Sequence, residues 1–323
     1  MDKTTAGYDQ LTRFWLDTAP ARGVVVRLEQ SLTDALQHHD YPPAVVSLLK
    51  QLAGAAVLLA SNLKQSAQVI LQAQGTGDVP LLCVEATDAL TFRVYASIRE
   101  HAVLPANAGI ATLVAPDGKG RFVLTIAPTN RQMYQGIVGL PSVSDPTAAD
   151  AGDAGDAGDA GEGSIASLLE DYLSNSQQTQ TRMWLRADGD VMEAMLLERL
   201  PERAEEDATL AWQAVTAQAD AIFAEHFMPF PYNEWLQFAF AGHDVKVHPA
   251  QPAGFACSCN IERVLNALKL VGEEELKPLI TENGKIETRC EFCSKAYEVN
   301  ALQFSELFHG VQAAYPVGPR TIQ

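Results

Sequence analysis

Hydrophobic and polar positions change period along the chain, and each change marks an element. "PPAVVSLLKQLAGAAVLLASNL" (42–63) opens on two prolines and spaces Val46, Leu49, Leu52 and Ala56 at helical intervals, which predicts one long helix with a single buried face. From Ala67 the period shortens to two. "AQVILQAQGTGDVPLLCVEATDALTFRVYASI" (67–98) predicts strands that set Val69, Leu71, Leu81, Cys83 and Val94 on one half-buried face, with "GTGD" (75–78) as the turn. That turn lacks the Lys-Ser/Thr ending of a phosphate-binding loop. "ATLVAPDGKGRFVLTIAP" (111–128) reads as a hairpin with strands on either side of Asp117-Gly118.

Periodicity then vanishes. "DPTAADAGDAGDAGDAGEGS" (145–164) holds six acids, no bases and almost no large apolar group. Its glycines at 152, 155, 158 and 161 form four triplets without an interior proline, too little for a triple helix. The segment is predicted to be a disordered loop. "SIASLLEDYLSNSQQ" (164–178) restores a helical stripe at Ile165, Leu168, Leu169 and Tyr172, and "TRMWLRAD" (181–188) a strand, so the first domain resumes and ends near residue 195. A helix with acids in its first turn follows from Glu202, leading into an aromatic run. Residues 222–240 hold seven of the chain's 24 aromatic residues. Such a segment either packs on a neighbour or binds one. "AGHDVKVHPAQPAG" (241–254) reads as a short strand and a Pro/Gly hinge.

Beyond the hinge the pattern is dense. "NIERVLNALKL" aligns Ile261, Val264, Leu265 and Leu268 on one helical stripe, Gly272 can end that helix, and "EEELKPLI" offers another. "ENGK" turns into the strand "KIETRC", "KAYEVN" returns beside it, and Asn300 with Gln303 forms a capping box for a last helix, "ALQFSELF".

Composition narrows the function. Net charge is −17, and −11 without the acidic insert, with no segregated basic patch, which argues against a nucleic-acid partner. The apolar stretch 44–64 is interrupted by Lys50 and Gln51 and is expected to be a buried helix rather than a membrane span. "MDKTTAGYDQLTRFW" has no secretory pattern, so a cytoplasmic location is expected, where clustered cysteines more often bind metal or do redox work than staple a fold. The seven histidines are scattered, and no enzyme constellation emerges.

Four of five cysteines fall in two clusters, Cys257-x-Cys259 and Cys290-x-x-Cys293, with thirty residues between them. Four thiolates are the ligand count of one closed tetrahedral zinc site. Cys83, alone in an apolar strand, reads as a core residue. A unit spanning about residues 253–310 can expect only ~3–5 kcal/mol from its own core, against ~10–16 kcal/mol from a structural zinc site. Loss of metal should unfold it. Thiolates are also what oxidants attack. A disulfide across Cys-x-Cys would span Cα atoms roughly 6–7 Å apart, the long edge of the usual range, and would be easy to reduce. Spacing alone leaves three readings: a purely structural zinc knuckle or adaptor, a thiol–disulfide oxidoreductase using Cys290 and Cys293, and a reversible switch.

The motifs "CSC" (257–259), "CEFC" (290–293) and "ENGKIETRCEFCSKAYEVNALQ" (282–303), with "HDYP" (39–42), "QAQGTGD" (72–78), "YQGIVGL" (134–140) and "LEDYLSNSQQTQTRMWL" (169–185), resemble the redox-regulated thirty-three-kilodalton chaperonin, or heat-shock holdase, family. The resemblance covers nearly the whole chain except the acidic insert. It implies one zinc ion held by Cys257, Cys259, Cys290 and Cys293 in an inactive reduced form. It further implies Cys257–Cys259 and Cys290–Cys293 disulfides on oxidation, zinc release, unfolding of the zinc domain and linker, and ATP-independent binding of unfolding client proteins, with a homodimer admitted for the oxidised form. Its fold agrees with the order read above. The expectation is an α+β chain with an N-terminal α/β core of helices on a mainly antiparallel sheet (1–195), an aromatic-rich helical linker (196–252), a small zinc-binding α+β domain (253–310) and a flexible tail (311–323). Phe223, Phe227, Phe230, Trp235 and Phe238 are the candidate client-binding residues.

Overall fold

A computed structural model describes residues 8–63, 66–129, 132–142, 163–177, 179–201, 205–225 and 231–309. The chain divides into two compact units, 1–256 and 257–323. All of the acidic insert except Gly163 and Ser164, and the tail 311–323, lie outside the described residues.

The first unit is organised around one helix. α1 (Gln30–Leu36) precedes α2 (Pro43–Ser61), and every residue of α2 from Leu52 to Ser61 is buried. The buried helix expected here is observed, and its burial extends beyond the one face that the spacing marks because α2 has a sheet on each side. One sheet carries β1 (Gln10–Leu16), β2 (Ala21–Leu28), β8 (Thr181–Asp188), β9 (Val191–Arg199) and β10 (Val245–Val247) in the order β10-β1-β2-β9-β8, with β11 (Gln251–Pro252) also on β1. The other carries β3 (Ala67–Gln74), β4 (Leu81–Thr87), β5 (Thr91–Ser97), β6 (Arg121–Pro128), β7 (Tyr134–Gly139) and β12 (Gly254–Phe255) in the order β12-β5-β4-β3-β6-β7. All pairings are antiparallel except β12 with β5. α2 packs on β3, β4 and β5 from one side and on β2, β8 and β9 from the other. Small residues permit this close approach: a Cβ on Gly54 would lie 2.6 Å from Met192 Cε. Among the described residues α2 is the one helix long and apolar enough to cross a bilayer, and 83% of its apolar window is buried inside the protein.

Register corrects two expectations. Leu71 pairs with Val84 and Gln72 with Cys83, so Val69, Leu71 and Val94 face α2, whereas Leu81 and Cys83 point to the opposite face. The turn from Gly75 to Pro80 sets Gln74 opposite Leu81, and a shift of one residue exchanges faces. The expected hairpin at 111–128 is also absent. Residues Ile110–Val114 form a short helix, α3, whose carbonyls at Leu113 and Val114 accept from Val79 and Gly77 N–H at 3.0 and 2.8 Å. β-branched residues that read locally as a strand are held helical by that contact. Asp117-Gly118 does turn the chain, with Gly118 at φ 69°, but into β6, which pairs with β3 and β7.

The stripe expected at 165–172 is observed: α4 (Ile165–Gln177) buries Ile165, Leu168, Leu169 and Tyr172. The outer face of the first sheet carries a second core. α5 (Glu205–Glu225) and α6 (Tyr232–Ala239) bring Trp212, Val215, Phe223, Tyr232, Leu236 and Phe240 against Phe14, Val25, Trp184, Met195 and Leu197. Within that layer the Glu193 carboxylate is 1% exposed and accepts from Arg27 at 2.9 Å and from the Tyr232 hydroxyl at 2.8 Å. A charge so buried needs both partners. Burial and the adjacent Glu193 push the Tyr232 hydroxyl well above its ordinary pKa, so it remains a donor.

The second unit comprises α7 (Ile261–Val271), α8 (Glu273–Asn283), β13 (Lys285–Arg289), β14 (Ala296–Asn300) and α9 (Ala301–His309). The elements follow the sequence signals, although α8 runs three residues past "EEELKPLI", to Asn283. Gly272 (φ 102°) closes α7 and Gly284 (φ 72°) closes α8. Asn300 and Gln303 exchange both capping-box bonds, at 3.1 and 2.9 Å. Its core is small: Leu276, Ile286, Val299 and Phe304 are buried, with Ile261, Val264, Leu265 and Leu268 partly so.

Because α2 is enclosed by both sheets, a void there has little room to collapse. Leu58→Ala, at a fully buried position, is expected to cost about 2–5 kcal/mol, read as a lower urea midpoint with unchanged slope.

Candidate metal centre

Two loops build the site. Cys257 and Cys259 lie on the extended segment before α7, and Cys290 and Cys293 on the turn between β13 and β14. The first loop is fixed by Asn260, whose side chain caps α7 by accepting from Arg263 N–H at 2.8 Å, and by Arg263 donating to the Ser258 hydroxyl at 2.6 Å. The second is a knuckle. Cys290 N–H donates to Lys295 O at 3.0 Å and Ser294 N–H to Cys290 O at 2.8 Å, with Ser294 left-handed at φ 53°.

The four sulfurs lie within 4.8 Å of one another. Cys257 Sγ is 3.6 Å from Cys290 Sγ, and Cys259 Sγ is 3.5 Å from Cys293 Sγ, both across the motifs. Four sulfurs at about 2.3 Å from a shared tetrahedral centre would lie about 3.8 Å apart. The donor set fits a single soft or borderline cation. Backbone N–H groups of Phe292 and Cys293 bond to the Cys290 sulfur, and that of Lys295 to Cys293. The Tyr297 hydroxyl donates to Cys259 Sγ at 3.1 Å.

Four thiols this close cannot all ionise without a cation. Burial alone would raise Cys259, but hydrogen bonds from Tyr297 and the neighbouring sulfurs bring it down to about 7. Burial and the adjacent sulfurs push Cys293 up to about 12, and burial also raises Cys290. A bound cation reverses this order of protonation by taking all four as thiolates.

The remaining sequence-predicted residues are placed elsewhere. Cys83 is buried, its thiol pushed up to about 11 by burial and by Glu85. His243 bonds to the Thr18 hydroxyl at 3.0 Å, and His248 packs on Trp15. Of the aromatic candidates, Phe223 is buried and stacks on Trp184 at 5.9 Å, Trp235 is half-buried, and Phe238 is 81% exposed. Phe227 and Phe230 lie outside the described residues. Sequence reading missed Tyr297 and the Arg27–Glu193–Tyr232 group, since neither the partner of a hydroxyl nor the pairing of a buried charge has a local signature.

The profile described as "Hsp33 protein" matches residues 9–150 and 159–300. The chain belongs to the Hsp33 family. The interruption of the Hsp33 match falls inside the acidic insert. The 33 kDa chaperonin of Hahella chejuensis is 34% identical over 93% of this chain and 97% of its own length. That of Pseudomonas fluorescens is 34% identical over 97% of both chains, and that of Methylobacillus flagellatus 32% identical over 93% of this chain and 94% of its own. A crystal structure of the 33 kDa chaperonin (heat shock protein 33 homolog) from Thermotoga maritima has the same fold, with a TM-score of 0.68 at 18% identity over 93% of this chain and 97% of that one. The fold class is thus the α+β arrangement expected, with the strands forming two sheets in the first unit and a two-stranded antiparallel sheet, β13 with β14, in the second.

The thiols separate into two chemical classes. Metal removal by a chelator should part the two loops and relieve the burial that raises Cys290 and Cys293, so a disulfide reagent at neutral pH is expected to titrate four thiols promptly. Cys83 should react only after guanidinium is added, because burial keeps it protonated.

Proposed function

We propose that this chain is a redox-regulated, ATP-independent holdase chaperone whose reduced, zinc-bound form is inactive. The observation that carries this reading is the convergence of Cys257, Cys259, Cys290 and Cys293 within 4.8 Å in a unit with four buried apolar side chains among its described residues. When bound, zinc offsets two of the four thiolate charges and fastens the two loops, with no redox chemistry of its own. A core of that size contributes only ~3–5 kcal/mol, so the unit's folding rests on the thiolate–metal bonds.

Oxidation removes those donors. Hypochlorous acid transfers chlorine to one thiolate and releases hydroxide. The paired thiolate then attacks that sulfur, chloride leaves, and two electrons have passed to the oxidant for each S–S bond. The family resemblance pairs Cys257 with Cys259 and Cys290 with Cys293, whereas the 3.5 and 3.6 Å contacts run across the motifs. Bonds within the motifs would therefore rearrange both loops, in keeping with unfolding of the unit.

In this reading 1–195 is the core, 196–252 the detachable linker, 253–310 the zinc domain and 311–323 a tail. Release of α5 and α6 would uncover Trp184, Met195 and Leu197 on the sheet together with Phe223 and Trp235 on the linker, an apolar surface suited to unfolding proteins. The chemistry suits the cytoplasm, where thiols stay reduced until stress. Such a function requires no nucleic acid, membrane or enzymatic turnover, and a homodimer of the oxidised form is compatible with it. The knuckle position of Cys290 and Cys293 differs from the helix opening that an oxidoreductase motif uses.

The reduced protein titrated with hypochlorite should lose zinc, followed with a chromophoric chelator, and gain suppression of thermal aggregation in parallel. Both changes should reverse with reductant. Retention of zinc, or its loss without activity, would leave the site a structural knuckle.

Linker docking supplies a further check. Tyr232→Phe removes one bond to buried Glu193 and is expected to cost about 1–3 kcal/mol. Half-activation should then need less oxidant, with zinc content of the reduced protein unchanged.

A further inference from the structure

Tyr297 lies on β14 two residues before buried Val299, on the same face, and its hydroxyl reaches Cys259, 38 residues earlier in the chain. Cys290 and Cys293 receive bonds from amides of their own turn, whereas Cys259 is held by a side chain from a different element. The O–H···S bond thereby ties the Cys-x-Cys loop to the hairpin independently of any metal. The Lys295 ammonium, just before β14, sits 5.3 Å from the Tyr297 ring centroid and keeps positive charge beside the hydroxyl's own ring.

We propose that Tyr297 is a positioning residue for the Cys259 sulfur, and that its hydroxyl sets both how tightly the four-sulfur site holds its cation and how readily an oxidant empties it. The inference rests on the metal-site reading above. A divalent cation with four thiolates carries a net charge of −2, and each donor aimed at a sulfur draws off part of that charge. Without the hydroxyl the Cys259 sulfur is less well oriented for the metal and richer in electrons toward an electrophilic oxidant. Loss of an outer partner of this kind costs about 10–100-fold in metal affinity.

Tyr297→Phe in the full-length chain keeps the ring and removes only the donor. Reduced protein loaded with zinc would be titrated against a chromophoric chelator. The cobalt-loaded form would be examined for its thiolate-to-metal charge-transfer band, and zinc release timed at a fixed dose of hypochlorous acid. The expected result is about tenfold weaker zinc retention, a shifted cobalt band and severalfold faster oxidative release. Glu298→Gln, on the opposite face of β14, should stay within about twofold of the parent in chelator competition. Unchanged affinity, band and release rate in Tyr297→Phe would overturn the proposal. So would loss of the unit's helicity at saturating zinc, since Tyr297 would then be a packing residue. Parent protein that keeps its zinc under oxidant would sink the holdase reading, while the chelator and cobalt measurements would still decide the role of Tyr297.

Discussion

Four sulfurs within 4.8 Å of one another cannot all carry the charge that makes them good ligands unless a cation sits among them. The second unit depends on that constraint. Its helices are well capped and its hairpin is in register, yet caps and turns contribute about a kcal/mol apiece, and four buried apolar side chains add little more. In the function proposed above, the thiolates that fasten the loops are also the groups an oxidant would consume. Stability and reactivity thus reside in the same four atoms.

The first unit is constructed in the opposite way. α2 lies between two six-stranded sheets and is buried without interruption from Leu52 to Ser61, so its stability comes from dispersed apolar packing with no single removable fastening. Between these extremes lies the layer of α5 and α6, where an aromatic cluster packs on the outer face of a sheet around a buried carboxylate held by Arg27 and Tyr232. A chain built this way would, in the proposed function, let one part unfold while the rest remains a scaffold.

Legibility in the sequence followed the same gradient. In the second unit Gly272, Gly284, the Asn300/Gln303 box and the stripe from Ile261 to Leu268 act locally, and each element lies where those residues place it. The metal-ligand spacing was equally local. In the first unit the decisive interactions are distant. Residues 110–114 are helical because the β3–β4 turn bonds to them, and Cys83 changes face because six residues between strands fix the register. α2 shows two buried faces because strands more than a hundred residues later cover it. Tyr297 was invisible for a related reason, since alternation places it on a face but does not name the sulfur it meets.

β12 carries a topological consequence. Residues 254 and 255 pair in parallel with β5, so the chain is stitched to a sheet edge immediately before the first cysteine. If the 67 residues from Cys257 onward lose their structure, they become a polymer grafted at that point, with a radius of gyration of roughly 25 Å. Grafting keeps the released segment at high local concentration beside the scaffold. Refolding then needs no second protein chain, only the return of a cation, so its speed follows the free metal concentration.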